Sequence, residues 1–210
     1  MMVKCPICGF TGKQFDPFGR TKRKNARCPG CGSLERHRQI WLFMKKRRLL
    51  NRTKMKMLHF AAEKCFVQPL RKMFGDGYKT AGLVSGQADL VVDITAIPFK
   101  ARSYNFVIAN HVLEHVEDDR KAMMEIYRVL KKGGCAIITV PYRRDKEMTV
   151  ESAERDVADH VRTYGRDVID RLKKAKFAVE AVDFHEEMSI EDKIRYRVGG
   201  DTIFFCKRKK

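Results

Sequence analysis

Two short cysteine motifs near the start of the chain constrain its fold more than any other feature. Residues 5–9 and 28–32 both read C-P-x-C-G, so each motif carries two thiols separated by two residues and followed by a glycine. Such a glycine permits a tight turn, and four thiolates complete a tetrahedral Zn²⁺ shell with no open position for water. We therefore predict a structural zinc ribbon with the ligands Cys5, Cys8, Cys28 and Cys31.

The remaining cysteines do not suggest a disulfide framework. Cys65, Cys135 and Cys206 lie singly in apolar segments, where a thiol usually packs as a small core residue. A redox-active C-x-x-C pair is the alternative interpretation of the N-terminal motifs, but two matched pairs favour metal. The first ten residues lack an apolar signal segment, and no apolar run is long enough to span a bilayer. These features predict a cytoplasmic protein that does not insert into membranes.

A helix is expected directly after the second cysteine motif. Ser33 is the expected N-cap, and a packed face is expected from residues that recur at helical spacing, Leu34, His37, Ile40, Trp41 and Met44. Because the predicted zinc shell is complete, we expect His37 to pack or hydrogen-bond rather than to bind metal. Residues 1–50 cannot build a large core, so the metal is expected to supply much of their folding energy. We place the domain boundary there, with a second domain over residues 51–210.

From Lys56 onward, short apolar runs alternate with helical patterns, which is typical of a parallel sheet with helical crossovers. The pattern predicts seven strands, at residues 55–60, 79–84, 90–93, 105–110, 135–140, 178–184 and 202–206. It also predicts helices over 118–130, ended by Gly133 and Gly134, and over 167–174. The expected fold is therefore a doubly wound α/β domain, which binds ligands at the carboxyl ends of its strands.

Five segments of the sequence carry a resemblance to a known family. Residues 103–116, SYNFVIANHVLEHV, and 125–134, EIYRVLKKGG, resemble class I S-adenosylmethionine-dependent methyltransferases, whose patterns are S-F-D-x-V-x-x-x-H-V-L-E-H and E-x-x-R-V-L-K-P-G-G. DITAIPF at 93–99 is similar to the acidic D-x-x-x-L-P-F loop of that family. DHVRTYG at 159–165 and CGSLERHR at 31–38 are similar to a subgroup with an N-terminal zinc ribbon, many of whose members build surface polysaccharides.

The resemblance implies a Rossmann-like seven-stranded methyltransferase domain that binds S-adenosylmethionine. The predicted cofactor-binding residues are Phe60, Ala61, Glu63, Gly82, Leu83, Asp93, Ile94, Asn110 and His111. Two positions depart from the family. LHFAAE at 58–63 replaces the glycine-rich D-x-G-x-G-x-G turn, and Gly82 stands where an acidic residue usually holds the ribose. Ribose binding is then expected to fall to Glu63, to backbone groups or to water.

Methyl transfer from a sulfonium to a hydroxyl requires in-line alignment of the acceptor and removal of its proton. Histidine suits the role of base, and we predict His160 for it, with His111 as the second candidate. Arg162, Tyr164 and Tyr142 are expected to bind the acceptor, whereas His115 is expected to order its loop.

Two metal-based alternatives concern the same region. Residues 111–115 match H-x-x-E-H, a zinc-peptidase signature that needs both histidines on one helical face. Because His111 directly follows an apolar strand, the peptidase interpretation is disfavoured. A catalytic divalent cation is the other alternative, with ligands drawn from His111, Glu114, Asp118 and Asp119.

Charge bears on the choice of acceptor. The chain has 44 Lys and Arg against 26 Asp and Glu, a formal net charge of +18, which either attracts polyanions or is a solvated basic surface. The resemblance favours O-methylation of a sugar hydroxyl on a glycan or saccharide precursor. The alternatives are methylation of rRNA or tRNA, against which stands the lack of an aromatic and basic stacking cluster, and a non-catalytic zinc-ribbon interaction protein with a degenerate fold. The oligomeric state stays open.

Overall fold

The computed structural model describes residues 2–51, 54–152, 156 and 158–209. Its strands, numbered along the chain, are β1 Val3–Lys4, β2 Thr11–Gly12, β3 Asp16–Phe18, β4 Arg23–Arg27, β5 Met57–Phe60, β6 Tyr78–Gly82, β7 Leu90–Val91, β8 Tyr104–Asn110, β9 Leu130–Thr139, β10 Val150–Glu151, β11 Arg162–Thr163, β12 Ala178–Val182 and β13 Ile203–Lys207. Its helices are α1 Glu35–Lys46, α2 Lys64–Phe74, α3 Asp119–Val129, α4 Val168–Lys174 and α5 Ile190–Tyr196. In the described part of the chain, no helix is both long and apolar enough to cross a membrane.

The chain forms two compact units, each built from separate segments. The ribbon unit comprises the described residues of 1–53, 63–75 and 183–200, and the sheet unit comprises those of 54–62, 76–182 and 201–210. The ribbon unit thus contains the cysteine motifs and α1, together with α2 and α5. A domain boundary after residue 50 stays a prediction.

Seven strands of the sheet unit form one sheet, in the order β12-β13-β9-β8-β5-β6-β7. The strands from β9 to β7 pair in parallel, whereas β13 is antiparallel to both of its neighbours. This confirms the predicted mostly parallel, seven-stranded α/β fold. From β5 the chain continues to the neighbouring strand β6, and from β8 it continues to the neighbouring strand β9, in the opposite direction along the sheet. A crevice is therefore expected at the carboxyl ends of β5 and β8.

Burial on both faces of the sheet explains why the strands read as continuous apolar runs. Residues 106–109 of β8, Phe-Val-Ile-Ala, are all fully buried, as expected for a parallel strand that is covered on both sides. Helix α3 begins at its N-cap Asp118, whose Oδ1 accepts a hydrogen bond from the Lys121 backbone N–H at 2.9 Å. Its buried stripe packs into the core through Ala122, Met123, Ile126 and Val129.

The two glycines predicted to end helix α3 have a different role. The helix ends at Val129 and β9 begins at once at Leu130, so Gly133 and Gly134 lie within the strand. Gly133 has φ of +72°, and a Cβ on Gly134 would lie 2.9 Å from the carbonyl oxygen of Asn105. The pairing of β8 with β9 shifts register nearby. The glycines therefore permit an irregular strand, which sequence pattern alone does not distinguish from a helix end.

The start of helix α1 also differs from the prediction. Glu35 is its first residue and Leu34 its N-cap, so the expected N-cap Ser33 is wrong. The Ser33 hydroxyl lies instead 3.4 Å from Cys5 Sγ and 3.3 Å from Cys31 Sγ. His37 caps the helix from within, because its Nδ1 accepts a hydrogen bond from the Leu34 backbone N–H at 3.2 Å.

Candidate active site and cysteine cluster

A cavity of about 360 Å³ opens at the carboxyl ends of β5, β6, β7 and β8. This is the edge of the sheet where the strand order diverges, which is the usual ligand position in such folds. The cavity is lined by Phe60, Ala61, Gly82, Leu83, Val92, Asp93, Ile94, Thr95, His111, Val112, His115, Val116 and Glu117. We call it the donor cavity, because the sequence resemblance predicts that the methyl donor, S-adenosylmethionine, binds here.

Most of the predicted cofactor-binding residues lie around the donor cavity: Phe60, Ala61, Gly82, Leu83, Asp93, Ile94 and His111. Two others do not line it. Asn110 is buried and accepts a hydrogen bond from the Thr139 hydroxyl at 3.4 Å, so its side chain supports β8 and β9. Glu63 belongs to the ribbon unit, where its Oε1 lies 3.9 Å from His37 Nε2.

Sequence reasoning missed other lining residues: Val92, Thr95, Val112, Val116 and Glu117. The signal that could have found them is position, because each lies in or shortly after the carboxyl end of a predicted strand. Thr95 also shapes its loop, since its N–H and hydroxyl donate to Asp93 Oδ1 at 2.8 and 2.9 Å. A turn of this kind fixes the direction in which a loop leaves the sheet.

Two residues of the cavity wall have left-handed backbone conformations without being glycine. Ala61 has φ of +46° and His111 has φ of +49°, and they directly follow β5 and β8. Both turns are held by the backbone, because the N–H of Ala61 donates to the Ala81 carbonyl and that of His111 to the Thr139 carbonyl, each at 2.9 Å. Such conformations cost free energy and tend to occur at functional sites. Ala61 thus makes a sharp turn where the family has a glycine-rich motif.

His111 is held between two carboxylates. Its Nδ1 lies 3.0 Å from Glu114 Oε1 and its Nε2 lies 2.8 Å from Asp201 Oδ2. Burial lowers the pKa of His111, but the hydrogen bonds to Asp201 and Glu114 outweigh burial and raise the pKa to about 9. At neutral pH the ring then carries both protons and donates to both carboxylates. A ring in this state does not accept a proton, which argues against the predicted role of His111 as base.

His160, the other predicted base, lies in a group of titratable side chains. Its Nδ1 is 3.2 Å from Asp156 Oδ2, and its ring centroid is 5.0 Å from that of His115. Glu114, His115 and His160 each have one ligand atom within 4.8 Å of those of the other two. We call these three residues the Glu-His-His cluster. His115 lines the donor cavity, whereas His160 does not.

Arg162 is buried and holds the loop that carries Glu114 and His115. Its guanidinium donates to the carbonyls of Leu113, at 3.0 Å, of Val116, and of Glu117, at 2.8 Å. Its Nε donates to Glu151 Oε2 at 2.8 Å. The nitrogens of Arg162 thus donate inside the protein in this structure, and its predicted contact with the acceptor stays a prediction.

The two predicted acceptor-binding tyrosines are also packed. Tyr164 is fully buried, and its hydroxyl donates to Asp119 Oδ2 at 2.9 Å. Tyr164 thus has a structural contact, and its predicted binding of the acceptor stays a prediction. Tyr142 is half-buried and packs edge-on against Phe204 with ring centroids 5.3 Å apart. Its predicted contact with the acceptor stays a prediction.

In the ribbon unit, the two cysteine motifs have the same backbone geometry. Gly9 and Gly32 have φ of +83° and +71°, and their N–H groups donate to the carbonyls of Cys5 and Cys28. The four sulfurs lie within 4.8 Å of one another, and the Cys8–Cys28 and Cys5–Cys31 pairs are 3.6 and 3.7 Å apart. Tetrahedral zinc with Zn–S of about 2.3 Å places sulfurs about 3.8 Å apart. A Cβ on Gly30 would lie only 3.2 Å from Cys8 Sγ, so there is little room for a side chain beside this sulfur. The spacing of the four sulfurs is compatible with a bound zinc.

Comparison with known families decides the class of protein. Residues 30–138 match a family model described as a methyltransferase domain, and residues 90–193 match a second model with the same description. The chain belongs to the methyltransferase domain family. As a class I S-adenosylmethionine-dependent methyltransferase it is an enzyme, and the donor cavity is where this fold holds its ligand. No curated protein matches the sequence.

Solved structures agree with this methyltransferase fold. The 4+2 cyclase SpnF has a TM-score of 0.56 at 17% identity, over 82% of each chain. A methyltransferase from Mesorhizobium loti described as S-adenosylmethionine-dependent has 0.54 at 12% identity, over 81% of this chain and 98% of its own. A sarcosine dimethylglycine methyltransferase from Galdieria sulphuraria has 0.53 at 14% identity, over 82% of this chain and 86% of its own. At such identities the likeness shows the fold alone, and the acceptor must be argued from the site.

Proposed function

We propose that this methyltransferase transfers the methyl group of S-adenosylmethionine to a hydroxyl of a saccharide, either a glycan or a saccharide precursor. The observation that carries the proposal is the charge of the donor cavity. The chain has a net charge of +18, yet among the described residues that line the cavity none is lysine or arginine. Two are the carboxylates Asp93 and Glu117, and the protonated ring of His111 is paired with the carboxylates of Glu114 and Asp201.

Carboxylates in the wall suit both a sulfonium donor and a neutral sugar. They attract the positive sulfonium, and they accept hydrogen bonds from sugar hydroxyls. A phosphate backbone would meet like charge at the same wall. The apolar side chains of Phe60, Val92 and Ile94 suit the adenine ring, in keeping with ligand cavities that are mainly apolar with a few polar groups. Because Gly82 stands where the family usually has an acidic residue that binds the ribose of the cofactor, we assign ribose binding to Asp93 and to backbone groups.

We assign activation of the acceptor hydroxyl to the Glu-His-His cluster. The cluster borders the donor cavity through His115, and the loop that bears Glu114 and His115 is fixed by Arg162. The displacement requires the acceptor oxygen and the leaving sulfur to lie on opposite sides of the methyl carbon. Fixing the loop therefore fixes the direction of attack.

RNA methylation is the second candidate, favoured by a separate basic cavity of the sheet unit. This cavity of about 520 Å³ is lined by Ala101, Arg102, Met124, Tyr127, Arg128, Lys174, Ala175, Lys176 and Arg208. Two of its cations already have partners, because Arg128 pairs with Glu125 and Arg208 donates to three carbonyls. The cavity also borders the amino-terminal starts of β8, β9 and β12, at the sheet edge opposite the donor cavity. An RNA seated there would not present its bases or riboses to the donor.

For the ribbon, we propose one structural Zn²⁺ held by Cys5, Cys8, Cys28 and Cys31. The sulfur spacing and the close approach of Gly30 support it. Cys28→Ser should remove one zinc per chain in elemental analysis, whereas Cys65→Ala, outside the cluster, should leave the zinc content unchanged. Protein purified without chelator that contains no zinc would end this assignment.

The acceptor is tested with S-adenosylmethionine labelled in its methyl group. The zinc-loaded protein is incubated with a panel of free sugars, nucleotide-linked sugars and oligosaccharides, and separately with RNA. We expect label in a saccharide methyl ether, identified by mass spectrometry. Label found in RNA alone would replace the saccharide proposal with the second candidate.

A further inference from the structure

We propose that Glu114, His115 and His160 bind one divalent first-row transition-metal ion beside the donor cavity, and that this ion activates the acceptor hydroxyl. The role of the ion rests on the proposed function, whereas its binding does not. Two imidazoles and one carboxylate within 4.8 Å of one another can converge on a single ion at about 2.0–2.2 Å from each ligand atom.

The buried carboxylate of Glu114 gives the strongest support. Its side chain is fully buried, and its Oε1 lies 3.0 Å from His111 Nδ1. Its Oε2 is also buried and has no hydrogen-bond partner among the residues that the structure describes. A buried carboxylate oxygen without a partner is costly, because it has lost its water without gaining a donor. A cation at the cluster would satisfy this atom.

The surroundings of the cluster resemble the outer shell of a metal site. His111 holds one oxygen of Glu114 and is itself held by Asp201 at 2.8 Å. His115 Nδ1 donates to the Asp159 carbonyl at 2.9 Å, and His160 Nδ1 faces Asp156 at 3.2 Å. Ligating histidines usually donate their second ring nitrogen in this way, which fixes the ring and its tautomer.

This ligand set differs from the cation site that the sequence left as an alternative, with which it shares only Glu114. Asp118 caps helix α3, and Asp119 holds Tyr164 and Arg171. It differs from the cysteine cluster as well. Imidazole and carboxylate ligands favour ions such as Zn²⁺ or Mn²⁺, with two imidazoles disfavouring Mg²⁺ and Ca²⁺. Three protein ligands leave open positions for a substrate oxygen, unlike a closed four-thiolate shell.

The chemistry follows from the open positions. An acceptor hydroxyl bound to the ion has a lowered pKa and releases its proton to solvent. The oxygen then forms a bond to the methyl carbon as the carbon–sulfur bond breaks, and its electron pair stays on sulfur. The products are the methyl ether, S-adenosylhomocysteine and one proton. In this account His160 acts as a ligand instead of taking the proton itself.

The test counts bound metal, so it needs no acceptor. Wild-type protein and variants are dialysed to equilibrium against micromolar ZnCl₂, and zinc per chain is measured by elemental analysis. We expect His160→Ala and Glu114→Gln to bind one zinc fewer than wild type. His185→Ala, which changes a histidine of the ribbon unit outside both clusters, should bind as many as wild type. Thermal unfolding confirms that each variant is folded, and the partly exposed His160 is the safer of the two changes.

Equal zinc content in wild type, His160→Ala and Glu114→Gln would overturn the proposed site. The result is independent of the acceptor. If zinc is lost in both variants but no saccharide is methylated, the metal site stands and the proposed function fails. If saccharides are methylated at the same rate by His160→Ala, the proposed function stands and the proposed role of the ion in activating the hydroxyl fails.

Discussion

The Nε2 atom of His111 lies 2.8 Å from Oδ2 of Asp201, although 90 residues separate them in the sequence. This contact fixes the ring whose other nitrogen faces Glu114. A residue of the segment before β13 thereby orients a side chain at the carboxyl end of β8.

Asp201→Asn tests that relationship. The amide keeps the shape of the side chain but removes the charge that holds the protonated ring. We expect the rate of methyl transfer to fall about tenfold, the lower end of what loss of an outer-shell partner costs at a metal site. Asp170→Asn, an exposed change in α4, is the matched control in the same steady-state assay. Equal rates for the two variants would show that Asp201 does not orient the site.

Asp93→Ala tests the donor cavity. The carboxylate lines the cavity and holds the turn at Thr95, so its loss removes both the proposed ribose acceptor and a loop contact. We expect S-adenosylmethionine to bind about 1–2 kcal/mol more weakly by calorimetry, since Asp93 is exposed and its hydrogen bond competes with water. Asp145→Ala, at an exposed pair with Arg143, should leave the affinity unchanged. Unchanged affinity in Asp93→Ala would remove this residue from the cofactor site.

Tyr164→Phe separates a structural role from acceptor binding. The buried hydroxyl donates to Asp119, which Arg171 also contacts at 3.0 Å. Its removal should lower the free energy of unfolding by about 1–2 kcal/mol and leave the KM for the acceptor unchanged. Tyr142→Phe removes a half-buried hydroxyl and serves as the control for stability. A raised KM without loss of stability in Tyr164→Phe would support the acceptor-binding role instead.

Arg38 is a buried polar residue of the ribbon unit, and we expect it to stabilise that unit. Its buried guanidinium donates to the carbonyls of Ala26, Ser33, Tyr196 and Arg197 and stacks on a phenylalanine ring. Arg38→Ala leaves buried carbonyls without donors, so thermal unfolding should show a loss of about 3 kcal/mol or more. Arg36→Ala, at a half-buried neighbour in α1, should cost far less. Similar losses for both variants would contradict this role of Arg38.

The sequence predicted the sheet well because its strands are continuous apolar runs between turn signals. It also predicted that Ala61, Asp93 and His111 lie at the ends of strands, and all three line one cavity in the structure. It failed where a polar side chain is buried by distant partners. Arg162 is an example, since nothing in its local pattern shows that three carbonyls of residues 113–117 surround it. No local sequence pattern indicated the contact of Asp201 with His111, because the two residues are 90 positions apart.

We propose that the donor cavity serves a saccharide hydroxyl and not a phosphate backbone. The most direct measurement is the rate of methyl transfer from S-adenosylmethionine to saccharide and to RNA at roughly 50 and 200 mM salt. We predict saccharide methylation whose rate changes little with salt, because no phosphate counterions are released on binding. Methylation of RNA, with apparent affinity that falls steeply over the same range, would contradict the account.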